Sequence, residues 1–75
     1  MKERIKNVIK RVFDLDQVTN NISQMNCDKW DSLGHLNLIV ELEEEFNVSF
    51  EPEEISEMTS LKKIEKKLEK KQQEL

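Results

Sequence analysis

Residues 31–46 read DSLGHLNLIVELEEEF, and their apolar positions recur at the spacing of an α-helix. Asp31 and Ser32 are both good N-caps, so a helix is predicted to start there and to cover residues 32–46. At about 100° per residue, one apolar arc is formed by Leu38, Ile39, Leu42 and Phe46. This arc predicts the face of the helix that packs on a core.

The same helix has a second apolar stripe, formed by Leu33, Leu36 and Val40, which a helix facing solvent does not need. Ser32 lies at the helix start, flanked by this stripe and ringed by carboxylates. A helix N-terminus has unpaired N–H groups and the positive end of the dipole, so a phosphate attached to Ser32 would be stabilised there. The alternative is that Ser32 is only an N-cap, and the residue pattern by itself favours this simpler interpretation.

Helices are also predicted on both sides of this segment. Residues 2–14 and 60–73 have apolar residues at helical spacing, and Pro52 opens a short helix over residues 52–57. Residues 15–31 are rich in turn-forming side chains and predict an ordered loop with four apolar anchors, Val18, Ile22, Met25 and Trp30. The expected fold is therefore all-α, with three main helices and a short third helix.

The length and composition limit what this chain can be. At 75 residues with 36% hydrophobic side chains, it has material for one core, so we expect a single domain over residues 1–75 that is not an enzyme by itself. One cysteine, Cys27, and one histidine, His35, predict no internal disulfide and no metal site. No apolar run is long enough to span a bilayer, so the expected location is the cytoplasm.

Charge is distributed in blocks along the chain. Residues 1–12 have five basic and one acidic side chain, a net charge of +4. Residues 13–60 have one basic and twelve acidic side chains (−11), and residues 61–75 have six basic and three acidic side chains (+3). We expect the positive ends to attract the negative middle, and the second helix to present an acidic face to partners. The lysines of the last helix alternate with Glu65 and Glu69, which favours a solvated face over a nucleic-acid partner.

Several short motifs carry a family resemblance. They are the tripeptide Asp31-Ser32-Leu33, the run LEEEF at residues 42–46, PEE at residues 52–54, Thr59, and VTNN at residues 18–21. Their order and spacing resemble the acyl carrier protein family over nearly the whole chain. The tripeptide alone would be a weak signal, but its place at the head of an acidic helix makes the combination specific.

The resemblance implies a four-helix bundle in which Ser32 carries 4'-phosphopantetheine, installed from coenzyme A by a phosphopantetheinyl transferase. Acyl or aminoacyl groups would travel as thioesters on this arm between enzymes with basic docking surfaces, and the carrier itself would be a non-catalytic monomer. The implied partner-binding residues are Asp31, Leu33, Leu36, Val40, Glu43 and Glu44. Acyl chains would enter near Leu38, Leu42, Phe50, Ile55 and Met58, although plain core packing is the favoured interpretation of these five residues.

The chain also departs from the family. Many fatty-acid carriers have a glycine-containing turn before the serine, whereas this chain has Asp28-Lys29-Trp30, and Gly34 and Asn37 replace common acidic residues. These differences favour a carrier of a dedicated pathway, such as a secondary-metabolite or surface-glycan pathway. Trp30 and His35 are predicted to pack as a hydrophobic staple, with contact of Trp30 or Lys29 to the arm as the functional alternative.

A competing hypothesis does not require modification. The chain would then be a small helical interaction module that binds a basic partner through its acidic second helix.

Overall fold

A computed structural model describes residues 1–73 of the chain. These residues form four helices: α1 (Lys2–Phe13), α2 (Ser32–Phe46), α3 (Pro52–Glu57) and α4 (Leu61–Gln73). The predicted all-α bundle is confirmed. The first helix ends one residue earlier than expected and the last begins one residue later, and residues 74 and 75 of the expected domain lie outside the described residues.

Two of the helices end in the same way. Asp14 follows α1 with φ 53°, and Asn47 follows α2 with φ 54°. Both residues are in the left-handed region, which Asp and Asn tolerate better than most residues. Their backbone N–H groups donate to the carbonyls of Lys10 and Glu43, respectively, and so close the last turn of each helix.

One core holds the helices together. The predicted core arc of α2 is buried, and it meets buried residues from α1, from α4 and from the connecting segments. These partners include Ile5, Val8, Ile9, Phe13, Ile22, Trp30, Met58, Leu61, Ile64 and Leu68. Among the described residues, no helix combines the length and the apolarity that crossing a bilayer requires.

The segment between α1 and α2 is held largely by backbone hydrogen bonds. The N–H of Gln24 donates to the carbonyl of Thr59 (2.9 Å), and the N–H of Leu61 donates to the carbonyl of Ile22 (3.0 Å).

Ile22 and Trp30 are buried, as predicted, but Met25 is 97% exposed, so its predicted role as an anchor of this segment was wrong. The adjacent Asn26 orders the turn instead, because its side chain accepts from the N–H of Ser23 and donates to the carbonyl of Asn21.

The expected attraction between the positive ends and the negative middle is confirmed. Arg4 and Arg11 of α1 pair with Glu45 and Glu41 of α2, at 3.1 and 3.2 Å. Arg4 also lies over the ring of Phe46, 4.5 Å from its centroid. These pairs are largely exposed, so each contributes little to stability, and the buried arc of α2 remains the main contact with α1.

Glu54 joins the start of α3 to the end of α4. Its carboxylate accepts from the backbone N–H of Glu51 (2.9 Å) and pairs with Lys71 (2.7 Å) and, more distantly, with Lys67 (3.9 Å). The hydrogen bond from Glu51 and the two cations lower the pKa of Glu54, and partial burial opposes them only in part.

We predict that Glu54→Gln lowers stability at neutral pH by no more than about 1 kcal/mol, because glutamine keeps the bond to Glu51 and loses only the charge. The pKa of Glu54 is lower in the folded than in the unfolded chain. Its charge therefore contributes fully above the unfolded pKa, and the contribution is lost as the pH falls through the folded pKa. Urea unfolding at a series of pH values should show the two proteins converging in acid, with Glu53→Gln as the control. A difference that stays constant with pH would contradict this assignment.

Candidate functional site

Asp31 caps the start of α2. Its carboxylate accepts from the N–H of Gly34 (2.7 Å), and its carbonyl accepts from the N–H of His35 (2.7 Å). Of the two predicted N-caps, the structure therefore selects Asp31, which leaves Ser32 as the first helical residue. Ser32 is exposed, and its hydroxyl makes no hydrogen bond to any residue in the range 1–73.

Trp30 and His35 pack against each other beneath this helix start. Their ring centroids are 6.2 Å apart with the ring planes inclined by 20°, and both side chains are buried. The predicted contact is confirmed, but it is more than a hydrophobic staple. The indole Nε1–H of Trp30 donates to Nδ1 of His35 (2.9 Å), and Nε2 of His35 lies 2.8 Å from the carbonyl oxygen of Ile55.

The second apolar stripe of α2 lies in solvent, as predicted. Leu33 is 75% exposed, Leu36 54% and Val40 52%. Together they are three of the five large hydrophobic side chains that are exposed in the described part of the chain. Exposed apolar side chains that are grouped in this way often mark a site where another molecule binds, whereas scattered ones are ordinary.

The family model described as "Phosphopantetheine attachment site" matches residues 3–68, which include α1 except for its first residue, all of α2 and α3, and the first eight residues of α4. The chain belongs to this family. Members of the family bear covalently attached 4'-phosphopantetheine and interact with modifying and biosynthetic enzymes, so the chain has the role of a phosphopantetheine carrier. No curated protein matches the chain.

The carboxylates along α2 of this carrier are less available than its sequence indicates. Glu41 and Glu45 are engaged by the arginines of α1. Glu43 is half-buried, and its Oε2 accepts from the backbone N–H of Phe50 (2.8 Å). Glu44 is the one glutamate of α2 that is exposed and makes no ion pair or hydrogen bond within residues 1–73. Of the two glutamates expected to bind partners, only Glu44 therefore has a carboxylate without a bonding partner within residues 1–73.

The expected acyl-chain pocket is filled by protein in this conformation. Leu38, Leu42 and Met58 are completely buried, and Phe50 nearly so. Two cavities, of about 620 and 450 Å³, lie along α4, and lysines of this helix line part of both. Met58 borders the larger one, and none of the other four residues expected to line the pocket borders either cavity. In the structure four of these residues are core and Ile55 is half-buried against it, as the simpler interpretation held.

Gly34 is required by close packing rather than by backbone conformation. A Cβ atom at this position would lie 2.4 Å from the carbonyl oxygen of Lys29 and 2.9 Å from a ring carbon of Phe13. The segment before Asp31 therefore packs directly on the first turn of α2. This contact explains why the carrier has no acidic side chain here, because any side chain would push that segment away.

We predict that Gly34→Ala destabilises the fold by about 1–3 kcal/mol, although alanine is the better helix former by about 1 kcal/mol. The clash involves the backbone of Lys29, which has little freedom to move away. Urea unfolding measures the effect, and the matched control is Asn37→Ala, an exposed change in the same helix that should be neutral or slightly stabilising. Equal stability of Gly34→Ala and the wild type would contradict the packing argument.

Proposed function

We propose that this chain is a discrete carrier in which the hydroxyl of Ser32 bears 4'-phosphopantetheine. The observation that supports it most is that Asp31 takes the capping role, which leaves an exposed and unbonded hydroxyl on the first residue of α2. The phosphodiester would lie at the positive end of a 15-residue helix, near N–H groups that have no partner within the helix. The residues present thus fit the group that the family carries.

The proton of the Ser32 hydroxyl must be accepted by the transferase. Attachment forms a phosphodiester between Ser32 and the phosphopantetheine half of coenzyme A, and it releases the nucleotide half. The two nearest titratable side chains in sequence are already engaged, because Asp31 caps Gly34 and both ring nitrogens of His35 are hydrogen-bonded. The carrier therefore supplies the nucleophilic oxygen and its position, and the enzyme supplies the base.

The partner surface that we propose combines the apolar stripe with a small number of charges. Leu33, Leu36 and Val40 would contact the transferase and the enzymes that load and transfer acyl or aminoacyl groups, while Asp31 and Glu44 attract their basic surfaces. We propose an indirect role for Glu43, which holds the segment after α2 through Phe50. The modest number of available carboxylates fits a dedicated pathway with its own partners.

The proposed setting is a single carrier domain that acts as a monomer in the cytoplasm. The described helices share one core, which supports a single domain. Cys27 is a half-buried free thiol, which is compatible with a reducing compartment.

We predict that Ser32→Ala abolishes the attachment without changing the fold, since the side chain of Ser32 is exposed and its hydroxyl makes no hydrogen bond within residues 1–73. Intact-protein mass spectrometry after incubation with coenzyme A and a broad-specificity transferase should show one phosphopantetheine addition to the wild type and none to the variant. Ser49→Ala, another exposed serine, is the matched control and should accept the addition. Addition to Ser32→Ala would overturn the assignment.

The competing function is an unmodified interaction module. It is supported by the exposed stripe of α2, which is available for docking whatever happens at Ser32. A folded wild-type chain that accepts no phosphopantetheine from several transferases would favour this module.

We predict that Glu44→Lys raises the KM of the transferase for the carrier roughly fivefold at low salt and leaves kcat unchanged. The reason is that one exposed charge in a docking surface contributes on the order of 1 kcal/mol to binding. Added salt should reduce the difference. Glu53→Lys makes the same charge change on α3 and controls for net charge. Equal effects of the two variants would refute a specific role for Glu44. Glu43 is a poor choice for this test, because its loss would leave the N–H of Phe50 unpaired.

A further inference from the structure

α3 depends on its neighbours for its position. It has six residues, none of which is buried, and an isolated helix of this length is not stable in water. On one side, Glu54 pairs with the lysines of α4. On the other side, His35 provides the single hydrogen bond between α2 and α3 among residues 1–73.

The acceptor of this hydrogen bond lies in the last turn of α3. The carbonyl oxygen of Ile55 accepts from the N–H of Met58 (3.2 Å), which closes the end of the helix, and it is 2.8 Å from Nε2 of His35. Carbonyls at a helix C-terminus have no partner within the regular helix, and each carbonyl oxygen can accept two hydrogen bonds. His35 supplies a second donor to Ile55 from a neighbouring helix.

Trp30 determines which nitrogen of His35 is the donor. The indole N–H can only donate, so Nδ1 of His35 must be the acceptor and the proton must lie on Nε2. The other tautomer would set two N–H groups against each other and leave the carbonyl of Ile55 facing a lone pair. With the Nε2–H tautomer every buried polar side-chain atom in this part of the chain has a partner, consistent with the lack of unsatisfied buried atoms in the described residues.

His35 is also close to the proposed modification site along the helix. It lies three residues after Ser32, and residues with this spacing are neighbours on a helix surface. The residue that binds the end of α3 therefore belongs to the same turn of α2 as Ser32.

We propose that His35 is a positioning residue for the modification site. Held by Trp30 as the Nε2–H tautomer, it fastens the end of α3 against the first turn of α2 and so determines the surface that a modifying enzyme meets beside Ser32. The functional half of this inference rests on attachment at Ser32, and the structural half does not.

Two substitutions of His35 separate its hydrogen bonds from its bulk. In His35→Gln, the amide oxygen can accept from Trp30 and the amide nitrogen can donate to Ile55, whereas His35→Leu keeps an apolar side chain and loses both bonds. Amide hydrogen exchange at Ile55 and Met58 should be on the order of tenfold faster in His35→Leu, the effect of losing one buried hydrogen bond, and close to wild type in His35→Gln.

Exchange elsewhere in the chain measures the cost to global stability. Amides in the core of α1 and α4, such as those of Ile9 and Leu68, exchange when the whole fold opens, so in His35→Leu they report the cost of losing both His35 hydrogen bonds, and in His35→Gln they should stay close to the wild-type rate. No change at Ile55 and Met58 in His35→Leu, or an increase there that is equally large in His35→Gln, would overturn the inference. If His35→Leu does not fold, Trp30→Phe provides a second test, because it removes the donor to Nδ1 together with part of the buried ring and should still speed exchange at Ile55.

Two further measurements complete the test. Nitrogen NMR of the His35 ring should show the proton on Nε2, and a proton on Nδ1 in the folded wild type would refute the assignment. The kcat/KM for phosphopantetheine addition should fall several-fold in His35→Leu, mainly through KM, and recover in His35→Gln. Equal rates in all three proteins would refute the link to Ser32. If the wild type is not modified at all, the attachment proposal fails, and hydrogen exchange still decides whether His35 positions α3.

Discussion

The hydrogen bond from the N–H of Gly34 to the carboxylate of Asp31 is the contact on which the arrangement of the site depends. Because Asp31 caps the helix, Ser32 becomes its first residue and keeps an exposed hydroxyl. If Ser32 were the N-cap residue instead, its hydroxyl oxygen would accept a hydrogen bond from a backbone N–H and would no longer be unbonded. The close approach of Lys29 to Gly34 holds the capping residue in place from the other side.

This small carrier uses the same helix for its core and for its largest exposed apolar stripe. α2 does this by dividing its apolar residues between two faces, one buried and one in solvent. Its carboxylates are divided in the same way, since Glu41 and Glu45 pair with α1, Glu43 holds the following segment, and Glu44 faces outward. Most of the acidic character therefore supports the fold, and the exposed apolar stripe has few free charges beside it.

The hydrogen bonds that connect Trp30, His35 and Ile55 place polar groups inside a core of fewer than twenty side chains. Buried polar groups are costly unless all of them are paired, and here each ring nitrogen has a partner. Hydrogen bonds are directional and apolar contacts are not, so these two hydrogen bonds favour the arrangement of α2 and α3 in which both can form. The short α3 thus gains a defined position that its own sequence cannot provide.

The sequence by itself determined the features that follow from local rules. Helical spacing and capping residues were sufficient for the four helices, the buried arc of α2 and its exposed stripe, and the charge blocks predicted that the ends of the chain would pair with its middle. The tertiary structure alone decided that Met25 is exposed, that Glu43 binds the N–H of Phe50 and that His35 reaches Ile55. The physical reason is distance along the chain. Periodicity and capping act within a few residues, whereas the exposure of Met25 and the hydrogen bonds of Glu43 and His35 depend on how separate elements pack together.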